Sequence, residues 1–152
     1  MKPATYLEST IALVKTIEES FLVLSERLKK IRDDKLYESS YDNFEEFLEE
    51  AKVSPATASK MIQIYEKFIL ELGFSNEEVV ESGGWSLLYS IIPFCKNKTQ
   101  AKEWMGKTKI LPRHELEVAI REERTGVDSY KCEHEMQEVC FKQCKVCGLR
   151  TK

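Results

Sequence analysis

With 152 residues, 42% hydrophobic and 32% charged, the chain has the make-up of one soluble, mostly helical domain carrying at most a small appendage. No run approaches the ~18 apolar residues of a membrane span, and Glu8 interrupts the first apolar stretch where a secretion signal would need continuity. A cytoplasmic protein without a membrane partner is expected. The net charge of −3 and pI of about 5.6 give no bulk attraction to nucleic acid, so any phosphate contact must come from one local face.

Residues 6–35 read as one long helix. Leu7, Ile11, Val14, Ile17, Phe21, Leu24, Leu28 and Ile31 fall three or four residues apart and share one stripe. Leu13 and Leu22 widen it, which favours packing into a globular core over the alternative for such spacing, a coiled-coil dimer seam. Tyr37 to Asn43 is a loop by composition. Asn43 then caps a short helix to about Ala51, with Glu45 and Glu46 at the positive end of its dipole and Phe44, Phe47, Leu48 and Ala51 predicted inward. Ser54 is an N-cap and Pro55 a first helical residue for a second helix to about Leu70, which Gly73 stops.

Ser75 to Glu78 forms a capping box, Gly83-Gly84 breaks the chain, and Trp85 to Cys95 is an apolar helix disturbed at Pro93. Thr99 is predicted to cap a helix over Gln100 to Gly106. A last helix opens at Leu111-Pro112-Arg113, and Gly126 ends it. The expected fold is all-α: a helix-turn-helix domain with a long N-terminal helix, plus a small C-terminal zinc-binding hairpin. The expected divisions are 1–42, 43–125 and 126–152.

The stretch FEEFLEEAKVSPATASKMI, Phe44 to Ile62, has the helix-turn-helix pattern of a short helix, a tight turn with a buried aliphatic at Val53, and a second helix with a polar outer face. Ala58, Met61, Ile62 and Tyr65 are predicted to face in. Thr57, Ser59, Lys60 and Gln63 face out, where they can reach bases or phosphates beside the cap Ser54. Lys52 and Leu48 stand where such motifs usually carry glycine and a small residue.

Through Phe44, Phe47, Leu48, Val53, Ser54, Thr57 and Ala58, residues 13–65 resemble a phage- and plasmid-associated family in which a long helix feeds a helix-turn-helix. Residues 54–124 are similar to the central DNA-binding region of ParB/KorB-type partition proteins. Gly84-Trp85-Ser86, Ile91-Ile92-Pro93 and Leu111 to Glu117 occur in the order of that region. The arginine-rich nucleotide-binding region of partition proteins has no counterpart here, so no CTP chemistry is carried over. The first resemblance implies a helix-turn-helix fold, and the second implies binding to double-stranded DNA.

Six basic residues between Lys96 and Arg113 face a single acid, Glu103. Lys96, Lys98, Lys107 and Lys109 are therefore the expected phosphate-contacting flank, the alternative being a solvated polar surface. Between Asn43 and Leu72 the balance reverses, with six glutamates to three lysines. For DNA to approach, the glutamates at 45, 46, 49 and 50 must face away from it.

Of five cysteines, Cys95 stands apart and Cys132, Cys140, Cys144 and Cys147 crowd the tail. Cys132-x-His134 followed by Cys144-x-x-Cys147-Gly148 is a ligand set for tetrahedral structural Zn²⁺, with Cys140 spare or replacing Cys132. The alternation at Met136, Glu138 and Cys140 predicts a hairpin between the ligand pairs. Four protein ligands leave no open metal position for catalysis. A glycine-rich phosphate loop and a G-x-S-x-G elbow are both missing, and His114 reads as a surface residue, so no enzyme is expected.

Two functions follow. One is a sequence-specific DNA-binding regulator or partition-like accessory factor of a phage or mobile element. The other is a protein-interaction module that binds a host protein on a helix-turn-helix scaffold. A homodimer is compatible with either.

Overall fold

The computed structural model describes residues 3–128, 136–137, 142–144, 148 and 150–151. Two compact units divide the chain, Met1–Lys109 and Ile110–Lys152. Helices dominate, as the all-α expectation requires, and none among the described residues is long and apolar enough to cross a membrane.

The first unit opens with helix α1, Pro3–Asp33. Its C-terminal part packs against the rest of the unit: Leu22, Ser25 and Leu28 are buried and Phe21 is half-buried. Its N-terminal part does not follow the expectation of a core helix, since Leu7, Ile11, Val14 and Ile17 are 50–69% exposed. No other described element of the unit is long enough to flank a 31-residue helix over its whole length. Arg32 closes the helix with a 2.8 Å ion pair to Glu66, and its hydrogen bond to Asp33, with a second from Lys29, holds the Asp33 carboxyl below the usual range.

Helices α2, Phe44–Glu50, and α3, Pro55–Ile64, form the helical hairpin. Asn43 Oδ1 accepts from the Glu46 amide, and Ser54 Oγ accepts from the Thr57 amide with Pro55 in the first helical turn, as the sequence predicts. Leu48, Ala58, Met61 and Ile62 join Leu28 in one buried cluster, with Phe44, Phe47 and Val53 packed around it. Ala51 is exposed, because it has become the C-cap and has left the packed face.

Lys52 supplies the reversal between the helices at φ 56°, a left-handed conformation that costs a residue with a Cβ ~1–2 kcal/mol. Lys52→Gly should therefore stabilise the unit by about 0.5–1 kcal/mol, the larger entropy of an unfolded glycine offsetting part of the relief. A urea midpoint that falls would show that the lysine stem compensates for the strain.

The second helix of the hairpin does not run on as α-helix to Leu70. From Tyr65 to Glu71 it widens into a π-helix, and the Leu72 amide donates to the Lys67 carbonyl five residues back. This register buries Phe68 completely, with its ring 6.3 Å from that of Phe74. Helix α4, Asn76–Val80, starts at the Ser75–Glu78 capping box.

Helix α5, Trp85–Ile91, gives way to a short 3₁₀ turn at Pro93. Helix α6, Lys98–Ile110, is capped by Asn97, whose Oδ1 accepts from the Gln100 amide at 2.9 Å, and Thr99 lies inside it. It passes through Gly106 without breaking, since burial of Ala101, Trp104, Met105 and Thr108 outweighs one glycine in its interior.

In the second unit, helix α7, Arg113–Thr125, buries Leu116 and Ile120 and stops at Gly126, φ 68°. Later in the chain, the described residues include short antiparallel strands in the order β1-β2-β3: Met136–Gln137, Lys142–Cys144 and Arg150–Thr151. Met136 stands opposite Cys144, and Gln143 opposite Arg150.

Candidate nucleic-acid interface

Helix α3 owes its outer face to its packing. With Ala58, Met61, Ile62 and Ile64 buried, the 3.6-residue period turns Ser59 and Gln63 outward. These two are exposed and joined, Gln63 Nε2 donating to Ser59 Oγ at 3.0 Å, which holds the amide along the helix surface. Ser54 is exposed as well, but its hydroxyl is engaged by the Thr57 amide and the Thr57 hydroxyl, at 3.1 and 2.8 Å.

Thr57 and Lys60 are only half exposed. The Lys60 ammonium lies 5.4 Å from the centre of the Tyr89 ring on α5, a cation–π contact that draws the stem down toward its neighbour. That partner is more than twenty residues away along the chain, and no local pattern announces it. Of the outward set expected on α3, Ser59 and Gln63 thus stand clear, and the other two are partly committed within the fold.

The lysines of the expected phosphate flank are also tied locally. Lys98 donates to the Gly73 carbonyl at 2.7 Å and lies over the Phe74 ring. Lys107 pairs with Glu103 at 3.0 Å and covers the Trp104 ring at 4.2 Å, while Lys109 reaches Glu81 at 3.8 Å. Lys96 is exposed. Exposed pairs of this kind hold their partners by no more than ~1 kcal/mol. A phosphate can displace them, but each exchange gives up a contact already made.

A feature hidden in the sequence lies beside the N-terminus of α3. Asp42, Glu45, Glu46 and Glu49 line an open groove of about 690 Å³ together with Lys52, Val53 and Ser54. The glutamate run was visible, but the reversal at Lys52 is what sets it next to the Ser54 cap. Glu46 is further fixed by accepting from the Asp42 amide at 2.8 Å.

Within the tail, Cys144 ends β2 and is 1% exposed. The Gly148 amide donates to the Cys144 carbonyl at 2.9 Å, and Gly148 takes φ 73°, which only glycine adopts without strain. Cys132, His134, Cys140 and Cys147 lie outside the described residues, among which no group of three or more metal-binding side chains gathers. Cys95, the isolated cysteine, is buried; its thiol donates to the Ile91 carbonyl at 3.2 Å, and burial pushes its pKa up to about 11. A thiol held protonated in this way is a packing group.

Set against known proteins, the chain matches no family model, no curated protein and no solved structure.

Proposed function

We propose that the chain binds double-stranded DNA through α3, acting as a transcriptional regulator or partition-like accessory factor of a phage or mobile element. The observation that carries this reading is the α2–α3 hairpin itself. Its reversal is left-handed at Lys52, its second helix is capped by Ser54, and Ser59 and Gln63 are exposed on the outer face. In the docking geometry of such motifs the second helix enters the major groove, where a glutamine amide can pair with an adenine edge. Lys60 and the α6 lysines supply phosphate contacts once their weak local pairs open.

Gln63→Ala should cost on the order of 1–3 kcal/mol at one base position and relax the preference there. Lys107→Ala should weaken all sequences alike and lower the salt slope by about one. Binding measured against a randomised duplex library at two salt concentrations reads both effects. A chain with no salt-dependent affinity for any duplex at low ionic strength overturns the proposal.

The acidic groove beside Ser54 favours a second reading, a module that binds a host protein presenting a basic segment. Glu45→Gln with Glu49→Gln separates the two. Removing repulsion strengthens DNA binding under the first reading, and removing attraction weakens protein binding under the second.

For the tail we propose one structural Zn²⁺ on Cys132, His134, Cys144 and Cys147. The Gly148 amide's hydrogen bond to the Cys144 carbonyl supports it, because it brings the glycine that follows the second cysteine in sequence back to the first.

A further inference from the structure

We propose, resting on the DNA-binding reading above, that Ser59 positions Gln63 by tethering its amide, so that α3 reads adenine and rejects guanine. Gln63 is a long side chain on an exposed helix face, and left alone it would sample many rotamers. Its other polar neighbours three or four residues away are committed elsewhere. Lys60 lies against the Tyr89 ring at 5.4 Å, Glu66 is paired with Arg32 at 2.8 Å, and Lys67 is paired with Glu71. Ser59 remains, and its Oγ accepts from Gln63 Nε2 at 3.0 Å.

Nearer the start of the helix, the hydroxyls of Ser54 and Thr57 are bonded to each other at the cap, so they do not compete for the amide. Beneath the Ser59–Gln63 pair, Ala58, Met61 and Ile62 are 1–4% exposed. The backbone that carries both residues is therefore fixed by the core, and the tether fixes the side chain.

At a base edge the tether has a chemical consequence. An amide nitrogen carries two hydrogens, so one bond to Ser59 leaves a second N–H and the carbonyl oxygen. Side by side, these match the N7 acceptor and the N6 donor of adenine, whereas guanine offers acceptors at both places, N7 and O6. The amide serves guanine only by swinging its nitrogen between those two acceptors with the oxygen turned away, and that swing breaks the bond to Ser59. Turning the amide end for end in place gives no escape. The hydroxyl could then donate to Oε1, but the oxygen would meet N7. A neutral hydrogen bond of this kind biases an orientation by roughly three- to tenfold, which is the part of the selectivity that Ser59 supplies. Methylation of the adenine N6 should also block the contact, because in a paired base the methyl group stands where the hydrogen accepted by Oε1 was.

The test uses the full chain and the duplex it selects from a randomised library, varied at the base pair where Gln63→Ala relaxes the preference. Adenine, guanine and N6-methyladenine are compared there. The wild type should bind the adenine duplex about ten- to hundredfold more tightly than either of the others. Ser59→Ala should shrink the adenine-to-guanine ratio by roughly three- to tenfold with the salt dependence unchanged, and Ser59→Thr, which keeps the hydroxyl, should restore it. Alanine is the better helix former, so folding should be kept, and a purely structural change would weaken all three duplexes alike. In the free chain, NMR relaxation should show the Gln63 side-chain amide more ordered in the wild type than in Ser59→Ala. A ratio that Ser59→Ala leaves unmoved, equal amide order in the two free chains, or N6-methyladenine bound as tightly as adenine overturns the inference while the DNA-binding reading stands. No affinity for any duplex at low ionic strength overturns that reading, and this inference with it.

Discussion

Metal analysis of the purified chain is expected to return one zinc per molecule, and Cys144→Ser is expected to lose it. The size of the effect follows from how little else holds the tail. Its described strands are two or three residues long, too short to bury a core, and modules of this size are ordinarily stapled by a metal or disulfides. Structural zinc in small peptides contributes ~10–16 kcal/mol of apparent binding energy, which is folding energy where the unfolded chain has no preformed site.

Chelation should therefore abolish the amide dispersion of the residues around Cys144. Acidification should release the ion too, because thiolates and imidazole must take up protons as the metal leaves. Stoichiometric zinc retained after Cys144→Ser together with Cys147→Ser would remove the proposed ligand set.

Phe68→Ala should destabilise the first unit by about 3–5 kcal/mol, a large fraction of the ~5–15 kcal/mol stability of an ordinary domain. The side chain is fully buried, stands on the π-helical stretch, and meets the Phe74 ring. Its loss leaves a cavity that a helix anchored at the α2–α3 hairpin on one side and the Ser75 capping box on the other cannot easily close. The urea midpoint should fall with the slope unchanged. Under the DNA-binding proposal, affinity should follow the folded fraction, not drop further, since Phe68 lies beyond the exposed face of α3. A loss under ~1 kcal/mol would mean that the π stretch returns to an α-helical register and refills the site.

Local chemistry decided much of the element structure. Asn43, Ser54 and Ser75 cap the helices they precede, Pro55 sits where its missing amide is harmless, and Gly73 and Gly126 take the left-handed conformations that end helices. These are interactions within four residues, so their partners are fixed by spacing alone. The inward face of α3 was legible for the same reason: a strict helical period leaves Ala58, Met61 and Ile62 one side to occupy.

Tertiary structure decided what spacing cannot. The stripe on α1 is continuous in sequence, yet Leu28 is buried while Leu7, Ile11, Val14 and Ile17 are exposed, because burial depends on where other elements pack and not on the stripe. The widening at Tyr65–Glu71, on which Phe68 is fully buried, is not announced by any local pattern of the sequence. Lys60 is drawn to Tyr89, and Lys98 to the Gly73 carbonyl, by groups more than twenty residues away that no periodicity couples to them. The acidic residues ahead of Lys52 were plain as a composition, but their place beside the α3 cap came from one left-handed residue that reverses the chain. Short-range hydrogen bonds are written into sequence spacing; which charged faces meet is settled only when the chain folds back on itself.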